Sequence, residues 1–97
     1  MTLRNRITDF LAYLSARRNF SPRTVSTYRK SLDKFLERLD EDSPIGALNE
    51  TNIKAFVWDL KMKQKLAPAS ICEHLAALKS FGKYLVRSKI LETNPAE

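Results

Sequence analysis

The chain has 97 residues, a length typical of one domain; 43% are hydrophobic and 29% charged, and 17 Lys plus Arg against 11 Asp plus Glu give a formal charge of +6. That surplus favours a polyanionic partner, nucleic acid before membrane. No apolar run approaches the ~18–20 residues of a membrane span, and a single cysteine (Cys72) and a single histidine (His74) exclude an internal disulfide and a structural zinc site.

The spacing of apolar residues predicts four amphipathic helices. In the first, Leu3, Ile7, Phe10, Leu11 and Leu14 recur with helical period behind Thr2 as N-cap, and Arg17 and Arg18 fall in the last turn. The second starts at Ser21, a good N-cap, with Pro22 at the first helical position, where its missing N–H costs nothing. Phe20 is placed to staple onto Val25. The apolar stripe of this helix is Val25, Tyr28, Leu32, Phe35, Leu36 and Leu39, so it should end near Leu39 or Asp40.

Residues 40–48 read as a loop, broken by Pro44 and Gly46. Asp40, Glu41, Asp42 and Glu50 make it the acidic segment of an otherwise basic chain. Asn49 or Thr51 then caps a third helix that turns Ile53, Phe56, Val57 and Leu60 inward and ends among Lys61, Lys63 and Lys65. Pro68 opens the fourth, whose stripe is Ile71, Leu75, Leu78, Phe81, Gly82 and Leu85. Gly82 costs about 1 kcal/mol against alanine inside a helix, so close packing on the inward face is its expected reason. Ile90 and Leu91 should fold back onto the core, and Asn94–Pro95 ends the periodic region. With no period-two alternation, the expected fold is all-α: a compact four-helix orthogonal bundle, with a short C-terminal turn.

The basic charge is not spread evenly. At about 100° per residue, Arg23, Thr27, Lys30 and Lys34 form a stripe on helix two opposite the apolar one. Helix four places Ser80, Lys83 and Arg87 on its outer face with Lys79 at the flank. Such side chains can hydrogen-bond phosphates and reach base edges. A solvated lysine face is the alternative that charge alone leaves open. Two glycines cannot build a phosphate-cradling loop, and no cofactor is expected. The N-terminal sequence is amphipathic rather than continuously apolar, so no secretory signal is read and the expected location is cytoplasmic.

The run Ser21-Pro22-Arg23-Thr24-Val25 with Tyr28, Leu32 and Phe35 resembles the opening helices of tyrosine recombinases, the phage-integrase family, most closely its Xer-type members. Ala67-Pro68-Ala69-Ser70-Ile71, then His74-Leu75-Ala76-Ala77-Leu78-Lys79-Ser80-Phe81, resembles a second hallmark, and Tyr84-Leu85 and Asn94-Pro95-Ala96 fit as well. The resemblance covers about Leu3 to Glu97. It implies the N-terminal core-binding, SAM-like domain, which grips one face of double-stranded DNA while a separate C-terminal domain does the chemistry. On that resemblance residues 1–97 form a single DNA-binding domain, with 92–97 starting a linker. It also implies DNA contacts by Arg23, Thr24, Thr27 and Lys30 on helix two and by Ser70, His74, Lys79 and Lys83 on helix four; Glu73 departs from the family's pattern.

The resemblance further implies that the tyrosine nucleophile and the Arg/His/Arg constellation of the family lie in the C-terminal domain. Tyr13, Tyr28 and Tyr84 sit on or beside apolar stripes, so the chain is not expected to be an enzyme. Other recombinase protomers are implied partners in the full-length assembly, and the isolated domain is expected to be a monomer. A helical protein–protein interaction module is the rival reading, and a stand-alone helix-turn-helix repressor a weaker one. Trp58 and Met62 fall on the outer side of helix three. They either form a protein contact surface or, for Trp58, pack beneath the 40–48 loop.

Overall fold

A computed structural model describes residues 2–96; Met1 and Glu97, the last residue of the expected linker, lie outside the described residues. The regular structure is helical: α1 (Leu3–Ala16), α2 (Pro22–Leu36), a 3-10 turn at Ile45–Ala47, α3 (Glu50–Met62) and α4 (Pro68–Arg87). Among the described residues there is no strand, only an isolated bridge between Thr2 and Pro44. The all-α fold class is therefore as expected. Among the described residues no helix is long and apolar enough to cross a membrane. The chain forms two compact units, one ending at Ala47 and built on α1 and α2, the other beginning at Leu48 and built on α3 and α4.

In the first unit, Thr2 Oγ1 accepts the Asn5 N–H at 3.2 Å, and α1 buries Leu3, Ile7, Phe10, Leu11 and Leu14, the set its periodicity predicts. Ser21 caps α2 as expected: its hydroxyl accepts the Thr24 N–H at 3.2 Å, with Pro22 in the first turn. The core face of α2 is Leu32, Phe35 and, unexpectedly, Ser31. Ser21→Ala should cost about 1 kcal/mol of stability, read as a lower denaturant midpoint at unchanged slope.

Three details differ from the sequence reading. Helix α1 stops at Ala16, so Arg17 and Arg18 follow it rather than fill its last turn. Asn19 turns left-handed (φ 53°) and the Phe20 N–H returns to the Leu14 carbonyl, six residues back, at 3.1 Å, which closes the helix end. Phe20 then packs on Tyr28 (ring centroids 5.9 Å apart), and Tyr28 meets Phe10 edge-on at 6.1 Å, an aromatic cluster that the staple on Val25 did not include. Finally, α2 ends at Leu36 rather than near Leu39, because the ladder tightens: Arg38 N–H bonds Phe35 and Leu39 N–H bonds Leu36, both three residues back.

In the second unit, Asn49 rather than Thr51 caps α3, its side-chain oxygen accepting the Asn52 N–H at 2.8 Å. Leu48, Ile53, Phe56 and Leu60 are buried, with Val57 half-buried. The end of α3 repeats the device of α1: Lys65 is left-handed (φ 51°) and the Leu66 N–H bonds the Leu60 carbonyl at 2.9 Å. Ala67 has no side chain to cap α4, which Pro68 opens. Helix α4 buries Ala77, Leu78, Phe81, Gly82 and Leu85. Lys89 (φ 62°) then turns the chain, Ile90 N–H bonds the Leu85 carbonyl at 2.9 Å, and Ile90 and Leu91 are half-buried as expected.

The reason for Gly82 is a neighbour far along the chain. A β-carbon there would run into the side-chain amide of Asn94. That amide donates from Nδ2 to the Lys79 carbonyl at 3.0 Å and accepts the Ala96 N–H on Oδ1 at 3.0 Å. Residues 94–96 are thus pinned against the middle of α4 through a gap that only glycine leaves.

Candidate nucleic-acid interface

On α2, Arg23, Thr24, Thr27 and Lys30 are exposed. Arg23 and Lys30 lie roughly opposite Leu32 and Phe35, so their charged ends reach solvent without disturbing packing. The two threonines are less available as donors. Thr24 Oγ1 lies 2.9 Å from the capping Ser21 hydroxyl, and Thr27 Oγ1 donates to the Arg23 carbonyl at 3.1 Å. A phosphate oxygen is an acceptor, so Thr27 must release its helix bond to donate to one. Lys34 is half-buried rather than fully outward. Its position is three residues from Ser31, which belongs to the core, so the buried face of α2 is broader than its apolar residues indicate. Arg29, absent from the predicted stripe, is exposed and lines a shallow groove with Ser15, Pro22, Val25 and Ser26. Its signal was present in the sequence as a cation beside Ser26 on the flank of the same face.

On α4, Lys79, Lys83 and Arg87 are exposed, and Ser70 and His74 are half-buried. The His74 ring meets Phe56 edge-on at 6.2 Å, which places it at the rim of the second unit's core. Glu73 and Cys72 are exposed between them. Of the six cations predicted on α2 and α4, five (Arg23, Lys30, Lys79, Lys83 and Arg87) are therefore exposed and only Lys34 is half-buried, whereas the polar members are engaged in caps, helix bonds or packing.

The basic residues of α3 are partly neutralised within the helix. Lys54 pairs with Glu50 at 2.9 Å and Lys63 with Asp59 at 3.7 Å. Exposed pairs of this kind add little stability, but they reduce the cationic character of α3 relative to α2 and α4. Trp58 and Met62 are 60% and 50% exposed, in line with the outward reading and against a packed Trp58.

A helical chain with this order of caps and stripes is a SAM-like domain by its sequence: residues 7–89 match the family model described as the phage integrase N-terminal SAM-like domain. The chain belongs to that family. It is similar to a tyrosine recombinase XerC of Pelotomaculum thermopropionicum, 38% identical over 95 residues, covering 92% of this chain and 31% of that protein. A tyrosine recombinase XerD of Oceanobacillus iheyensis is 29% identical over 93 residues, covering 93% and 31% respectively. A XerC of Myxococcus xanthus is 38% identical over 90 residues, covering 91% and 29%. The chain thus spans less than a third of the length of these curated relatives. No solved structure matches it.

Proposed function

We propose that the chain is the DNA-binding N-terminal domain of a site-specific tyrosine recombinase, holding the duplex at a recombination site while strand cleavage is carried out by residues outside it. The observation that carries this reading is the exposure of Arg23 and Lys30 on α2 and of Lys79, Lys83 and Arg87 on α4, on outer faces of a domain whose family is that of phage integrases. These cations meet phosphates, and contacts of that kind set position and orientation on the duplex. Arg23 is the residue suited to read a guanine edge in the major groove. Thr24, Thr27, Ser70 and His74 add polar contacts at the flanks, and Lys34 reaches the backbone from its half-buried stem.

On this reading residues 1–97 act as one binding domain, with 92–97 leading toward the linker. The chain itself performs no catalysis. Tyr28 has its ring packed on Phe10 and Phe20, a structural use. The partners are double-stranded DNA and, on DNA, other recombinase protomers; the protein works in the cytoplasm and the isolated domain is a monomer. Alone, it should bind duplex with Kd on the order of 10⁻⁴–10⁻⁶ M at physiological salt, as non-specific contacts do.

Amide shifts on titration with a short duplex test the reading. Changes centred on α2 and α4 support it; changes confined to residues 40–50, with both helices silent, contradict it. A second reading is favoured by one observation, the exposed Trp58–Met62 pair. Apolar side chains of this size at the surface suit a protein contact. Quencher-protected Trp58 fluorescence in the isolated domain would count against that contact.

A further inference from the structure

The middle and end of α4 carry more than a cationic face. Residues 92–94 run beside it, and the two together form an open groove lined by Lys83, Val86 and Arg87 on the helix and by Glu92, Thr93 and Asn94 on the returning chain. Lys83 and Arg87 are four residues apart and so project from the same side of the helix. The opposite wall is fixed rather than loose: Asn94 is tied to the Lys79 carbonyl and to the Ala96 N–H, over a glycine that leaves it room. Thr93, next to the tied Asn94, lines the same groove as the two cations and carries a hydroxyl able to donate. Glu92 brings a carboxylate to the same rim.

Resting on the DNA-binding reading, we propose that this groove is a phosphate-binding site for one backbone phosphate of nucleic acid. Lys83 and Arg87 supply the charge, the Thr93 hydroxyl a neutral donor, and Asn94 acts as a positioning residue that holds the second wall in place. Two cations with one hydroxyl suit a tetrahedral oxyanion, whose oxygens accept several hydrogen bonds at once. Glu92 opposes the ligand by like charge, so the sequence sets the affinity of this site below its maximum. None of the three residues 92–94 belongs to a helix stripe.

The test uses the whole chain and a fluorescein-labelled 20-base-pair duplex, with Kd read by anisotropy at 0.05 and 0.15 M salt. Glu92 and Thr93 are exposed, so their replacement leaves the core intact, which circular dichroism checks. Glu92→Gln should tighten binding about threefold at the lower salt and less at the higher, the size of one screened charge near the surface. Thr93→Val should weaken it about threefold, as one lost hydrogen bond to a charged oxygen would. In a Lys83→Ala/Arg87→Ala background both effects should vanish, since the phosphate is no longer held there. If Lys30→Ala weakens binding while Glu92→Gln and Thr93→Val leave Kd unchanged, the groove is not a phosphate site and the DNA-binding reading stands. Effects of Glu92→Gln and Thr93→Val that persist in the doubly substituted background would also overturn it. If the unaltered chain binds no duplex, the DNA-binding reading fails, and the groove proposal with it.

Discussion

Gly82→Val should destabilise the domain by about 2–4 kcal/mol, through overpacking and through loss of the hydrogen bonds made by the displaced Asn94 amide. For a chain of this size that corresponds to a fall in Tm of roughly 10 °C or more. Gly82→Ala isolates the steric part. Alanine is the better helix former by about 1 kcal/mol, so an exposed helical glycine would gain from it, but here the new β-carbon meets the Asn94 side chain. The single change should therefore destabilise, and combining it with Asn94→Gly should recover much of the loss. Thermal unfolding of the four proteins of that cycle measures the coupling; additive effects would show that Asn94 is not what Gly82 makes room for.

Arg23→Ala together with Lys30→Ala should weaken duplex binding about thirtyfold at 0.15 M salt. Each phosphate contact adds about 0.9 to the slope of log affinity against log salt, so at this salt one contact is equivalent to about fivefold. Both side chains are exposed on α2, and their removal should leave Tm within about 1 °C, because surface changes away from caps and core are usually near neutral. If Arg23 reads a base, the single change Arg23→Ala will also narrow the difference between specific and random duplexes, whereas Lys30→Ala will weaken both alike. Anisotropy on the two duplexes separates these outcomes.

Helix starts were legible because their signals are local. Ser21 followed by Pro22 defines a start in two residues, and Thr2 does so beside a clear apolar period. Helix ends were legible unevenly: α3 stops among the lysines expected to end it, whereas α1 and α2 stop short of the expected points, and three of the four ends close on left-handed residues that are not glycine: Asn19, Lys65 and Lys89. A lysine does not announce that conformation and an asparagine signals it only weakly; it costs most residues with a β-carbon roughly 1–2 kcal/mol. The apolar residues that follow, Phe20, Leu66 and Ile90, return to the body of the protein and hold these turns in place. Gly82 was readable as a place of close approach, but its partner is twelve positions away, beyond the reach of a periodicity argument.

The candidate site divides the same way. A helical wheel finds Arg23, Lys30, Lys83 and Arg87, since an exposed cation opposite an apolar stripe needs no tertiary information. It misjudges Lys34, because Ser31 is buried without being apolar. Ser70 and His74 came from the resemblance rather than from the wheel, and packing leaves both only half-exposed; His74 leans on Phe56. The wall formed by residues 92–94 was hidden altogether, because it depends on the chain folding back along α4.

The salt dependence of duplex binding by the unaltered chain tests the central claim most directly. Arg23, Lys30, Lys79, Lys83 and Arg87 are exposed cations on α2 and α4, and if most of them meet phosphates, log affinity should fall against log salt with a slope of roughly −3 to −4. Between 0.05 and 0.2 M salt that is a loss of about a hundredfold. A slope near zero, or no binding of duplex at any salt, would contradict the assignment of this domain to DNA.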